Sequence, residues 1–260
     1  MPIVIRGDFH SATRACIGES SFRVMEAAFR VHERYGRFVN ETVFKKAVAM
    51  ERSGVQLEVP VDVTFESFQK TYYLDMVADD CCILEWKAAD SLCDQHRGQL
   101  LNYLYLTGAL SGKLVNTRPE RIEHEFVNAS VSAEERHTFR VDRPSSSQSS
   151  GSRRIWMDCF LDALADWGTG LSLSLYEEAI EHFSSARVEK RPILSGDTKL
   201  GSQSIRVLPD NTAIKVTSLP ERAMNTFGQH ARRLLLHTNV SAVRWINIRH
   251  HAVTCQTIRH

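Results

Sequence analysis

No apolar run in these 260 residues approaches the roughly 18 that a membrane-spanning helix requires. The start does not have the layout of a secretory signal. Its short apolar run, Pro2 to Ile5, gives way at once to Arg6, Asp8 and His10. An excess of one charge is missing too. The chain has 32 Lys and Arg against 31 Asp and Glu, a formal net charge of +1. That argues against a surface wrapped wholly in nucleic acid and leaves room for a local basic patch. The six cysteines (Cys16, Cys81, Cys82, Cys93, Cys159 and Cys255) contain no CxxC pair and no repeated spacing. They are expected to be reduced, mostly buried thiols of a cytoplasmic protein, and not a zinc site or disulfide frame. His250, His251 and His260 stand near a polar C-terminus, where solvated side chains explain them without a metal. No GxSxG, no P-loop and no HExxH occurs, so the common signatures of other hydrolases are absent.

What is present is a chain long enough for a sizeable core, divided by one low-complexity stretch, Pro144 to Ser152 (PSSSQSSGS). That composition cannot bury apolar surface and predicts a flexible linker. Before it, Phe22 to Tyr35 has helical periodicity, with Phe22, Met25, Phe29 and Val31/His32 along one face and Gly36 able to end it. A second helix is predicted from Asn40 to Ser53, stopped by Gly54. Strands are predicted over Val55 to Phe65, Thr71 to Val77 and Cys81 to Ala89. A Leu-rich helix follows from Gln95 to Gly108, then closing strands at Lys113 to Asn116 and Ile122 to Val127. The second half repeats this order. One constant offset takes Tyr35-Gly36 to Trp167-Gly168, Met25 to Met157, Phe44 to Tyr176, Ala47 to Ala179 and Pro60 to Pro192. After a small gap, Lys113-Leu-Val-Asn116 corresponds to Arg244-Trp-Ile-Asn247. The identities are few, and chance similarity between two α/β segments stays open beside an internal duplication.

The most informative segment is CCILEWKAA, Cys81 to Ala89. Its apolar run marks a strand buried on both faces, yet it contains Glu85 and Lys87. Side chains alternate along a strand, so these two share one face while Leu84, Trp86 and Ala88 take the other. A buried, unpaired charge costs several kcal/mol, so that face must supply partners or a metal. Asp75, at the end of the preceding strand, can meet Glu85 across the sheet. Two converging carboxylates repel unless a cation lies between them, and hard oxygen ligands suit Mg²⁺ or Mn²⁺. The plainer alternative is a Glu85–Lys87 ion pair on an edge strand with Asp75 solvated in a turn.

From about Ser21 to Val127 the chain resembles the GxxExxY protein family, a branch of the PD-(D/E)XK nuclease superfamily. VHERYG (Val31 to Gly36), Glu41 at the start of the next helix, YLDMV around Asp75, LEWKA around Glu85 and Lys87, and HRGQLLNYL (His96 to Leu104) carry the likeness. The resemblance implies a restriction-endonuclease-like α/β fold, a mixed central sheet flanked by helices, here in two tandem copies. The expected layout is an N-terminal segment 1–20, a nuclease-like domain 21–129, a connecting segment 130–152 and a degenerate copy 153–260. The resemblance further implies metal-binding carboxylates at Asp75 and Glu85, with the Trp86 carbonyl as a further ligand. Lys87 would orient the attacking water and stabilise charge on the phosphate. Glu41 would hold water or a second ion, and Gln99 would be an auxiliary polar residue. Packing accounts for His32 and Tyr103 equally well.

Departures qualify the likeness. The family's Gly-x-x-Glu-x-x-Tyr reads Phe38-Val-Asn-Glu41-Thr-Val-Phe44, with glycine and tyrosine lost. The second half shows the reverse, Gly170-Leu-Ser-Leu173-Ser-Leu-Tyr176. Aligning Asp80 with Asp210 sets Ile205, Lys215 and Thr217 opposite Asp75, Glu85 and Lys87, so that copy is expected to be inactive. The function implied is Mg²⁺- or Mn²⁺-dependent phosphodiester cleavage in nucleic acid, DNA before RNA. The two halves are expected to pack together, with a homodimer also open. The competing reading is a catalytically silent binding or scaffold protein that keeps the fold.

Overall fold

The computed structural model describes residues 2–142 and 152–259 of the chain. Contacts divide it into two units, Met1–Ala133 and Glu134–His260. The serine-rich stretch lies outside the described residues except for Ser152, as does His260.

The first unit runs β1 (Ile3–Ile5), α1 (Arg14–Tyr35), α2 (Glu41–Glu51), β2 (Val55–Phe65), β3 (Phe68–Ala78) and β4 (Cys82–Lys87). It closes with α3 (Asp94–Thr107), β5 (Ser111–Asn116) and β6 (Glu123–Asn128). The six strands form one sheet in sequence order. All neighbours are antiparallel except β4 and β5, whose parallel pairing needs the long connection that α3 supplies. β4 is therefore an interior strand, hydrogen-bonded on both sides. α3 packs closely on β5 at Gly112, where an added Cβ would lie about 3.0 Å from Leu100 and 3.1 Å from Leu104.

α1 begins eight residues before the expected start, because the Thr13 hydroxyl accepts from Cys16 N and caps it there. Its buried stripe also differs. Ile17, Val24, Met25, Ala28 and Val31 face the sheet, whereas Phe22 and Phe29 are 65% and 48% exposed. Ser20, Ser21, Ala27 and Ala28 are small enough to bring the helix axis close to the strands, and that face wins over the bulkier one. The first twenty residues are not a separate segment, since β1 extends the sheet beside β2.

The second unit contains α4 (Ala133–His137), whose first residue is at the boundary, then β7 (Arg140–Asp142), α5 (Ser152–Trp167) and α6 (Leu173–Ser184). β8 (Arg187–Ser195), β9 (Thr198–Val207), β10 (Thr212–Thr217), α7 (Glu221–Leu236), β11 (Ala242–Arg249) and β12 (Ala252–Ile258) follow. Residues 134–142, expected in a connecting segment, are part of this unit. β7 pairs with β12, and buried Arg136 donates to the carbonyls of Thr169 and Trp167 at 2.7 and 2.9 Å. The sheet order is β7-β12-β11-β10-β9-β8. Its five strands β8 to β12 follow the same neighbour order as β2 to β6, with β10–β11 as the parallel pair. The extra edge strand lies at opposite ends of the two sheets.

A local device recurs at matching places. Asn116, at the end of β5, accepts from Ala89 N at 3.0 Å and donates to Ala89 O at 2.8 Å. Asn247 on β11 does the same to Leu219, at 2.7 and 3.1 Å. Both amides are almost fully buried, and each fixes the segment leaving a parallel strand. Asn116→Ala leaves the N–H and C=O of half-buried Ala89 without their partner, and urea unfolding is expected to show a loss of about 1 kcal/mol.

Candidate metal centre

The register β3–β4 pairs Met76 with Leu84, so one step further along Asp75 faces Glu85. Leu84 and Trp86 enter the apolar core beneath α1 and α2, where Trp86 meets Phe44 at 5.5 Å between ring centroids. Glu85, alternating with them, lies on the α3 side, where it contributes to the electrostatics of Tyr103. The edge-strand alternative is thereby removed. β4 is interior, Glu85 is wholly buried and Asp75 lies within β3, its side chain 13% exposed.

Glu85 Oε1 accepts from Lys87 Nζ at 2.5 Å, while its Oε2 is buried and has no hydrogen-bond partner. Burial, and then the adjacent Asp75 charge, push the Glu85 carboxyl up to about 8 against the pull of Lys87. Asp75 is fixed at both oxygens: Oδ2 accepts from Trp86 N at 2.8 Å and Oδ1 from Lys45 Nζ at 2.6 Å. Within a strand the N–H and C=O of one residue point to the same side, so the Trp86 carbonyl turns toward β3 with its N–H. The Lys87 carbonyl turns the other way and accepts from Thr117 N at 2.8 Å.

Glu41, in the first turn of α2, lies 3.7 Å from Lys45 Nζ. Its carboxyl is raised by burial and by Asp75, with Lys87 and Lys45 opposing, so it shares the field of the same cluster. Gln99 is on the surface of α3 and donates to the Tyr103 hydroxyl at 3.0 Å, reaching the cluster only through that ring. The Tyr103 phenol is pushed up to about 12, chiefly by burial. His32 sits edge-on to Phe44, a packing contact. Much of the HRGQLLNYL segment is architectural as well. His96 Nδ1 accepts from Cys93 N at the start of α3, Arg97 grips Glu125, and Leu100 and Leu104 pack on Gly112.

Two participants were not foreseen. Lys45, 3% exposed, also binds Glu58 at 2.6 Å. Burial alone would lower its basicity, but its hydrogen bonds to Asp75 and Glu58 hold it well above the usual lysine range. A signal existed: Glu41, Phe44, Lys45 and Val48 have helical spacing, which puts Lys45 on the inner face. Glu58 occupies the left-handed region, φ 52°, in the middle of β2, and the β2–β3 ladder skips it opposite Asp75. A strained non-glycine residue of this kind collects at functional sites.

Residues 19–128 match the PD-(D/E)XK nuclease superfamily. The match takes in almost all of the first unit and none of the second. A solved structure reported as "Crystal structure of SSO0001" is similar over 43% of this chain and 68% of its own, at 17% identity and a TM-score of 0.27. No curated protein matches significantly. PD-(D/E)XK nucleases typically use divalent metals, and the donors here fit such an ion in kind: two hard carboxylates, one with a buried oxygen lacking a partner. Among the described residues no group of three or more His, Cys, Asp or Glu side chains forms a metal cage. Mg²⁺ accepts that shortage readily, since it keeps waters and takes substrate phosphate oxygens beside one or two carboxylates. All six cysteines are free of disulfides, with Cys81, Cys82 and Cys255 buried. Among the described residues no helix is long and apolar enough to cross a membrane.

In the second unit Ile205 is buried on β9, and the Thr217 hydroxyl on β10 donates to Asn247 and accepts from Trp245 Nε1, both at 2.7 Å. Thr217 pairs with Asn247 in the sheet just as Lys87 pairs with Asn116. No carboxylate pair stands there. Tyr176 does what Phe44 cannot: its hydroxyl donates to Gly168 O at 2.7 Å and accepts from Leu171 N at 3.0 Å.

Proposed function

We propose that the first unit is a Mg²⁺- or Mn²⁺-dependent phosphodiesterase that cleaves nucleic acid, DNA in preference to RNA, through Asp75, Glu85 and Lys87. The observation that carries this reading is the facing pair Asp75 and Glu85, with Glu85 Oε2 buried and without a partner. Asp75, Glu85 and the Trp86 carbonyl would hold the ion. When bound, a divalent ion acidifies an attacking water and neutralises charge developing on the phosphate. Lys87, tethered to Glu85 and 16% exposed, directs its ammonium at the same phosphate in a setting of low dielectric. Glu41 and the Gln99–Tyr103 pair shape the polar edge of the site. The likeness to the GxxExxY branch and the matched Asn116 and Asn247 clamps support a duplicated chain whose second copy has lost its site.

One centre per chain cuts one strand at a time. With supercoiled plasmid and Mg²⁺ or Mn²⁺, nicked circle is expected before linear product. Lys87→Ala should slow cleavage at least about 100-fold. Linear product without a nicked precursor would count against a single centre. No cleavage of single- or double-stranded DNA or RNA in either ion, or undiminished cleavage by Lys87→Ala, would overturn the enzymatic reading.

A second reading is favoured by Lys45, whose ammonium already neutralises Asp75. In it the lysine permanently replaces the ion and the fold survives as a silent binding protein. It expects Mn²⁺ to leave the melting temperature unchanged.

A further inference from the structure

Phe38, one of the two residues that break the Gly-x-x-Glu-x-x-Tyr pattern, is 76% exposed, an unusual position for a large aromatic ring. It lines a cleft of about 630 Å³ together with Arg37, Ala88, Asp90, Arg118 and Pro119. Ala88 immediately follows Lys87, so the cleft opens at the end of the strand that carries the proposed centre. The two alanines after Lys87 leave its floor open.

The charge in the cleft is positive on balance. Arg37 and Arg118 outnumber Asp90, and neither arginine has a carboxylate partner among the described residues. The Arg37 guanidinium rests 5.0 Å from the Phe38 ring centroid. Arg118 is positioned from its backbone, N donating to Asn116 Oδ1 at 3.4 Å. An exposed ring beside two guanidinium groups, one of them resting over the ring, matches what a single-stranded nucleic acid presents, an unstacked base beside its phosphates. A duplex keeps its bases stacked and exposes a base face to the Phe38 ring only at the cost of unstacking a step.

We propose that Phe38, Arg37 and Arg118 form a nucleotide subsite for single-stranded nucleic acid, with a base stacked on Phe38 and its flanking phosphates held by the arginines. This deepens the phosphodiesterase reading, on which it rests, by naming the substrate class.

The test uses full-length protein in EDTA, so that binding is read without cleavage. The probes are a fluorescein-labelled twelve-residue oligothymidylate and a duplex of the same length, followed by anisotropy. The single strand should bind more tightly. Phe38→Ala should weaken it about 5- to 100-fold and leave the duplex within about twofold, while Phe38→Trp restores binding. Arg118→Ala should weaken both probes and reduce the salt slope by about one. Equal binding of both probes, an unaffected Phe38→Ala, or equal displacement by an acidic peptide of matched charge would each overturn the subsite. Phe38-dependent binding without cleavage in Mg²⁺ or Mn²⁺ would instead sink the catalytic reading alone.

Discussion

Glu85→Gln is expected to melt at a higher temperature than the parent in metal-free buffer at pH 7 to 8, and to lose the parent's response to Mn²⁺. The Glu85 carboxyl is raised from 4.5 to about 8 by burial and by Asp75. The folded state therefore keeps a proton that the unfolded chain releases above pH 4.5. Protonation stabilises the fold fully below that pH, and its contribution falls away as pH rises toward 8. Metal-free parent protein should thus lose stability between pH 5 and 8. The amide variant carries no such titration and should not follow it. On the proposed reading Mn²⁺ would reverse the order by binding the ionised pair. At one hundred times Kd it contributes about 2.7 kcal/mol, several degrees of melting temperature. A pH-independent parent, or an equal Mn²⁺ shift in both proteins, would show that Asp75 and Glu85 are not a metal pair.

Lys45→Met should act in two opposite directions. The lysine is buried and bonded to Asp75 and Glu58, with Glu41 at 3.7 Å. Its removal leaves an enclosed Asp75 without its cation, and urea unfolding without metal should show a loss of about 3 kcal/mol. Mn²⁺ affinity should rise in the same variant, since the ammonium on Asp75 Oδ1 no longer competes with the ion. Titration at fixed pH checks this. Weaker Mn²⁺ binding by Lys45→Met would mean that Lys45 positions Asp75 for the metal instead of competing with it.

The contrast between Lys87 and Lys45 explains which parts of the centre were legible from residues alone. Lys87 sits in an apolar run of period two, where any charge stands out and its face follows from alternation with Trp86. Lys45 stands beside Lys46 in a helix of mixed composition, and its ion pair with Asp75 spans 30 residues of sequence. Similarly, Phe22 and Phe29 looked like core by spacing. They were displaced to the surface because a face of Ser20, Ser21, Ala27 and Ala28 brings α1 nearer the sheet.

Local patterning sufficed for most of the helices and strands of the first unit, their order, and the shared face of Glu85 and Lys87 on β4. Period and turn chemistry act between near neighbours and can be read from a string. The interior place of β4, the reach of Lys45 to Asp75, the kink at Glu58 and the incorporation of residues 134–142 into the second unit come from contacts between distant segments. Those depend on which faces can approach most closely once the sheet is assembled, and short-range patterns carry no record of that.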